Sequence, residues 1–279
     1  MPHNLNITEQ LTHSTVRIEC ELSDGNASTG TGFFFNFNFE DLDIQVPVII
    51  TNKHVIEDSV RGRIHITLQN DAGGPDLGNH KGILFNDFEG LWLKHPDDNV
   101  DLCILPLAPL LQQLSQTGEK LFYIHLDKSL MMDESQLSQL MAMEDIAMIG
   151  YPNGIWDSVN NLPLIRRGIT STHPKLDYNG KSEFMIDAAC FPGSSGSPVF
   201  LMNIGGHMTS TGYNLGASRI NLLGILYAGP QHTATGEVEI VEVPTRQKAV
   251  SFSHIPNNLG LVIKAKKILD FESIIRAKI

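Results

Sequence analysis

The chain has 279 residues, 42% of them hydrophobic, with 20 Lys and Arg against 31 Asp and Glu for a formal charge of -11. That length buries a sizeable core without metal or disulfide. The negative balance repels nucleic acid and anionic membrane surfaces, which excludes both as general partners. No run approaches the roughly 20 apolar residues that span a bilayer.

The N-terminal stretch MPHNLNITEQLTHSTVRIE has no basic segment leading into an apolar run, so it carries no secretory signature. Three cysteines, Cys20, Cys103 and Cys190, cannot all pair within one chain, and none stands in a CxxC or zinc spacing. Together these predict a reducing, cytoplasmic setting.

In chain order, STVRIECEL (14–22) alternates apolar and charged residues with a period of two, one buried face of a strand. GTGFFFNFNF (30–39) sets Phe33, Phe35, Phe37 and Phe39 on one side. VPVIIT (46–51) is a continuous apolar run of strand length and RIHITL (63–68) alternates again. Residues 70–80 are rich in Gly, Asn and Asp and read as a surface loop, and VDLCILPL (100–107) reads as a strand. The strand pattern lapses over 108–140, which predicts a boundary between two halves there. SLMMDESQLSQLMAM (129–143) reads as a helix.

Strand runs resume at 145–152, 164–171, 182–190 and 196–202. A loop is expected over 203–221, then strands at 222–229, 237–243 and 259–265. The tail KAKKILDFESIIRAKI (264–279) reads as an amphipathic helix whose stripe, Ile268, Phe271, Ile274 and Ile275, packs on the body of the protein. About a dozen short strands split by turns predict an all-β barrel or sandwich.

Three contexts carry chemistry. FPGSSGSPVF (191–200) puts a serine between glycines on a tight turn. Gly193 and Gly196 permit positive φ there, so the N–H groups of Gly193 and Ser195 can converge on a developing oxyanion. A serine hydroxyl needs a base, and the base needs an orienting group. VIITNKHVI sets His54 just past a buried strand. NVDLCILPL sets Asp101 within apolar sequence, where a carboxylate is costly unless it meets a donor such as an imidazole N–H. Any one of the eleven histidines, taken alone, is more often structural than catalytic. The three contexts in this order are much rarer. The order Ser–Asp–His of an α/β-hydrolase does not fit, residue 197 is serine where its elbow needs glycine, and there is no HExxH.

The strings GTGF (30–33), ITNKHVI (50–56), DLCILPL (101–107), GSSGSP (193–198), GILYAG (224–229) and LGLVI (259–263) resemble the trypsin-like, chymotrypsin-fold serine peptidases. Within them they are similar to bacterial HtrA/Deg-type protease domains without a PDZ domain. The resemblance implies an all-β fold of two six-stranded antiparallel barrels with a C-terminal helix. Residues 1–120 would form the first barrel with His54 and Asp101, and residues 121–279 the second with Ser195. It implies a serine endopeptidase that works through an acyl-enzyme. His54 would be base and then acid, Asp101 the orienting acid, Ser195 the nucleophile, and the Gly193 and Ser195 N–H groups the oxyanion hole. Substrate contacts would come from Ala189, Cys190 and Phe191, from Leu226, Tyr227, Ala228 and Gly229, and from Gly260. No charge stands at these positions, so an uncharged hydrophobic P1 residue (Leu, Met or Phe) is expected.

The resemblance implies no cofactor and no metal, a protein or peptide substrate, and room for a regulatory protein partner. Two features depart from the family pattern. Ser194 stands where members activated by cleavage carry an aspartate, which argues against activation by insertion of a new terminus. Tyr227 stands where a serine often supports the catalytic aspartate, leaving Asp101 to find another donor, such as the backbone near His54. The alternatives are a catalytically weak or silent protein-binding module, and an effector peptidase activated by a partner.

Overall fold

The computed structural model describes residues 5–209, 212–238 and 249–279. A short helix, α1 (Ile7–Thr12), leads in, closed by a capping box between Asn6 and Glu9. The N-terminal half is then built from β1 (Thr15–Leu22), β2 (Ala27–Phe39), β3 (Ile44–Thr51), β4 (Ser59–Gln69), β5 (Pro75–Asn86), β6 (Leu93–Lys94), β7 (Cys103–Pro106) and β8 (Leu121–Phe122). They form one antiparallel eight-stranded sheet in the order β5-β4-β1-β2-β3-β7-β6, with β8 added on β4. A single helical turn, α2 (Lys53–Ile56), follows β3, and α3 (Ala108–Gln116) follows β7.

The C-terminal half holds α4 (Glu134–Ser138), β9 (Asp145–Gly150), β10 (Leu164–Thr170), β11 (Glu183–Asp187) and β12 (Pro198–Asn203). The hairpin strands β13 (Gly206–Thr209) and β14 (Gly212–Leu215) precede β15 (Arg219–Ala228). Last come β16 (Gln231–Val238), β17 (Ala249–Pro256), β18 (Leu259–Lys264) and α5 (Phe271–Arg276). Six of these strands close into a barrel in the order β10-β11-β18-β15-β12-β9. The fold is mostly β and chymotrypsin-like. The N-terminal half departs from a six-stranded barrel: β5 extends it as an outer strand paired to β4, and β6 and β8 are two-residue pieces.

The period-two pattern of β2 explains how the halves join. Phe33, Phe35, Phe37 and Phe39 are all buried in one cluster with Ile50 and Ile104 from the first sheet and Phe200, Ile225 and Ile263 from the barrel. Burying each such ring contributes about 1.5–3 kcal/mol, so a one-residue slip of β2 would forfeit the cluster. Phe34, on the other face, enters the separate core of the first sheet. The tail packs as expected. A 3-10 stretch, Ala265–Asp270, precedes α5, and Ile268, Phe271 and Ile275 sink into the shared cluster with Ile274 beside it.

Several expectations need correction. Residues 75–80 are not loop: they begin β5, an exposed outer strand whose Gly and Asn content hides its pairing with Arg61–Gln69. The 203–221 segment contains the β13–β14 hairpin. The expected 129–143 helix breaks up. Met131 is extended and bridges to Leu222, Asp133 caps a helix of only five residues, and Leu140 then drops into the barrel core. The expected strand at 237–243 contributes only the end of β16, and its remainder lies outside the described residues. Helix α3 goes unannounced in the sequence because its buried Leu110 and Leu114 follow directly on an apolar strand.

Candidate active site

The fold brings the end of β3 and the start of β7 side by side. Asn52, fully buried at the end of β3, donates its side-chain amide to the Asp101 carbonyl at 2.7 Å, which fixes α2 against the chain that enters β7. Asp101 is therefore not inside the strand but just before it, followed by the buried Leu102, Cys103 and Ile104. His54 Nδ1 stands 2.5 Å from Asp101 Oδ2, and the His54 backbone N–H donates to Asp101 Oδ1 at 3.2 Å. The carboxylate thus finds the backbone donor beside His54. Both side chains are only partly covered, 42% exposed for His54 and 24% for Asp101. A carboxylate on Nδ1 selects the tautomer with its proton there and leaves Nε2 able to accept one.

The serine-bearing turn lies between β11 and β12. Gly193 and Gly196 both adopt φ +86°, as this sequence predicts. At 196 no other residue fits, since a Cβ would come within 1.8 Å of the Thr31 carbonyl oxygen and 2.5 Å of Thr51 Oγ1. That contact seats the turn against the end of β3, three residues before His54. The turn closes on itself through Ser194 N–H to Phe191 O (2.9 Å) and Ser197 N–H to Ser194 O (3.0 Å). Gly196 N–H to Leu226 O (2.8 Å) fixes it to β15.

Among the described residues neither the Gly193 N–H nor the Ser195 N–H has an acceptor. A buried turn with two unspent donors can receive an anionic oxygen. Ser195 Oγ makes no hydrogen bond among the described residues, to His54 or to any other. The structure therefore joins His54 to Asp101 directly and brings Ser195 to the same strand end without closing that last contact.

Beside Ser195 opens a cavity of about 370 Å³ lined by Cys190, Phe191, Pro192, Ser195, Leu226, Ala228, Gly229, Pro230 and Leu259. No lining side chain is charged. Of the expected contact residues, Ala189, Tyr227 and Gly260 lie off this wall. The Ala189 carbonyl accepts the Arg166 guanidinium, which stacks 4.8 Å over the ring of Phe191, a wall residue. Gly260 backs the wall: a Cβ there would lie 2.6 Å from both Cys190 Sγ and Leu226 Cδ1. Strand alternation turns Tyr227 to the opposite side. Burial there, with the charges of Glu183 and Asp101, holds its hydroxyl well above the ordinary tyrosine range. Burial also pushes the Cys190 thiol up to about 11, so it lines the cavity as an uncharged group. Pro192, Pro230 and Leu259 are wall residues that sequence reasoning missed. Each sits directly beside an expected contact residue, Phe191, Gly229 and Gly260 respectively, which is the signal that pointed to them.

The sequence profile described as "trypsin-like peptidase domain" matches residues 30–207, well over half of the chain. The chain belongs to the trypsin-like peptidase family. No curated protein matches it. Among solved structures this trypsin-like chain is similar to the Rv3671c protease of M. tuberculosis in its active form, at 14% identity and TM-score 0.47, over 97% of this chain and 85% of that one. It is also similar to the HtrA-type protease AlgW with tripeptide, at 16% identity and TM-score 0.47, over 97% of this chain and 63% of that one. Tobacco etch virus protease complexed with substrate gives 14% identity and TM-score 0.49, over 98% and 87%. Among the described residues no helix is long and apolar enough to cross a membrane, and no cluster of His, Cys, Asp and Glu could hold a metal ion.

Proposed function

We propose that this trypsin-like peptidase is a serine endopeptidase in which His54, Asp101 and Ser195 form the catalytic triad. The observation that carries this reading is the conjunction at one strand end: an imidazole held by a carboxylate at 2.5 Å, and a serine flanked by two unspent N–H groups at the mouth of an uncharged cavity.

In this reading Ser195 Oγ attacks the scissile carbonyl carbon while His54 Nε2 takes its proton. The carbonyl oxygen becomes anionic and is received by the Gly193 and Ser195 N–H groups, an oxyanion hole. Asp101 stabilises the imidazolium. The C–N bond then breaks as His54 passes the proton to the leaving amine, which leaves an acyl-enzyme. Water, deprotonated by His54, releases the acid and restores Ser195. The uncharged cavity supports a hydrophobic P1 residue, and Ala189 and Gly260 act behind its wall. The two catalytic halves divide in the stretch between β8, ending at Phe122, and β9, starting at Asp145; the expected boundary at 120/121 would cut β8 from β4, its partner in the first sheet. The three unpaired, buried thiols support a reducing, cytoplasmic setting.

A fluorophosphonate probe tests the assignment. A single adduct on Ser195, absent from Ser195→Ala, is expected; a folded protein that never labels, or labels elsewhere, overturns it. The open Ser195–His54 contact favours a second reading, in which a partner closes the triad of an otherwise weak enzyme. Labelling that needs substrate-like peptide or a bound protein would select it.

A further inference from the structure

The nucleophile turn exposes its two free N–H groups because of how its carbonyls are pinned. A peptide unit is planar and trans, so fixing its C=O sends its N–H the opposite way. The Pro192 carbonyl accepts the Asn153 N–H at 2.5 Å, which turns the Gly193 N–H outward. The Gly193 carbonyl accepts Thr31 Oγ1 at 2.9 Å, which turns the Ser194 N–H inward to Phe191 O. The Ser194 carbonyl accepts the Ser197 N–H, which turns the Ser195 N–H outward again. The Ser195 carbonyl accepts the Thr31 N–H at 2.9 Å. Two of these four anchors come from one residue.

Thr31 is fully buried on β2, in the N-terminal half, and every polar atom it has is spent at this junction. Its hydroxyl donates to Gly193 O and accepts the Tyr151 N–H at 3.0 Å, while its carbonyl accepts Thr51 Oγ1 at 2.7 Å. A hydroxyl is the smallest group that can receive one backbone N–H and give to a backbone carbonyl at the same point. Thr31 thus ties the turn to the residue after β9 through its hydroxyl and to the strand end before α2 through its carbonyl. Ser194 contributes no charge to this arrangement; among the described residues its buried Oγ accepts only the Phe191 N–H, at 3.4 Å.

We propose that Thr31 is a positioning residue: its hydroxyl holds the 193–194 peptide in the orientation that leaves the Gly193 and Ser195 N–H groups free for an oxyanion. The inference rests on the reading of Ser195 as nucleophile, yet the geometry it describes is measurable without turnover. Thr31→Val keeps the shape and removes the relay, leaving a buried carbonyl and a buried N–H without partners.

In Thr31→Val, amide hydrogen exchange across 191–199 should quicken roughly tenfold or more, with the rest of the barrel unchanged. The kcat should fall about 10- to 100-fold with KM within about threefold, since misplacing donors by a fraction of an ångström costs the transition state. Thr31→Ser should restore both readouts. If Thr31→Val does not fold, Thr31→Ala removes the hydroxyl without adding a methyl group against Gly193 O and should behave the same way. Wild-type exchange and kcat in either variant, or Thr31→Ser as impaired as Thr31→Val, overturns the proposal. If the wild type neither turns over nor labels at Ser195, the nucleophile reading falls, and the exchange data still decide the role of Thr31.

Discussion

Replacing Asp101 by Asn tests the electrostatics of the site with almost no change in shape. The carboxylate accepts from His54 twice, through Nδ1 at 2.5 Å and the backbone N–H at 3.2 Å. An amide can keep one of these as acceptor, but its NH2 must then face the ring. The ring answers by placing its own proton on Nε2, so the nitrogen that takes the serine proton in the proposed mechanism becomes a donor and cannot do so. A wrong-tautomer lesion of this kind costs a triad enzyme about 10⁴ in kcat, or roughly 5.4 kcal/mol at 1.36 kcal/mol per decade. Stability should change by no more than about 1 kcal/mol, because the Asp101 side chain is 24% exposed and its loss leaves no charge buried. Steady-state hydrolysis of a fluorogenic peptide with Leu at P1, measured beside a thermal melt, separates the two effects. An Asp101→Asn protein that keeps kcat within tenfold of wild type would refute the claim that this pair orients the base.

Other outcomes follow from the same geometry. Ala228→Val narrows the cavity beside Ser195 and should move preference from Phe toward smaller P1 residues by about 10- to 100-fold, read from kcat/KM over a P1 series. Phe271→Ala empties a fully buried ring site under the C-terminal helix and should cost about 3–5 kcal/mol in denaturant unfolding. His65, largely buried beside Glu19 and Trp156, is held below the ordinary histidine value of 6.5 by burial, which Glu19 only partly offsets. Its unfolded form therefore binds a proton that the native form refuses, so stability should fall as pH drops through 6.5. Glu19, which burial alone would raise, is carried below 4.5 by His65 and Arg17 and adds a second loss in more acid solution. In His65→Gln the first of these two steps should disappear from a plot of Tm against pH.

Much of the arrangement was legible because each signal was local. The alternating phenylalanines of β2 announce which face is buried, the Gly-Ser-Ser-Gly string announces a turn with positive φ, and the apolar stripe of the tail announces its docking. A carboxylate in apolar sequence announces that it needs donors, and His54 supplies two. What stayed hidden depends on partners far away in the chain. Nothing near Asn52 says that its amide reaches the carbonyl of Asp101, and nothing in GTGF says that Thr31 reaches Gly193, 162 residues on. Strand β5 was obscured because it is held through its backbone by β4 while its side chains are mostly exposed, which erases the period-two pattern. Tyr227 and Gly260 sit next to wall residues in sequence, yet the pleat turns one away and puts the other behind Cys190.

Turnover of a peptide substrate by wild type, Ser195→Ala and His54→Ala, each shown to be folded by its melt, puts the whole account at stake. It predicts wild-type hydrolysis and a collapse of about 10³-fold or more in both variants, with the double variant no worse than either single one, because the two side chains act as a unit. Hydrolysis that survives either substitution would contradict it.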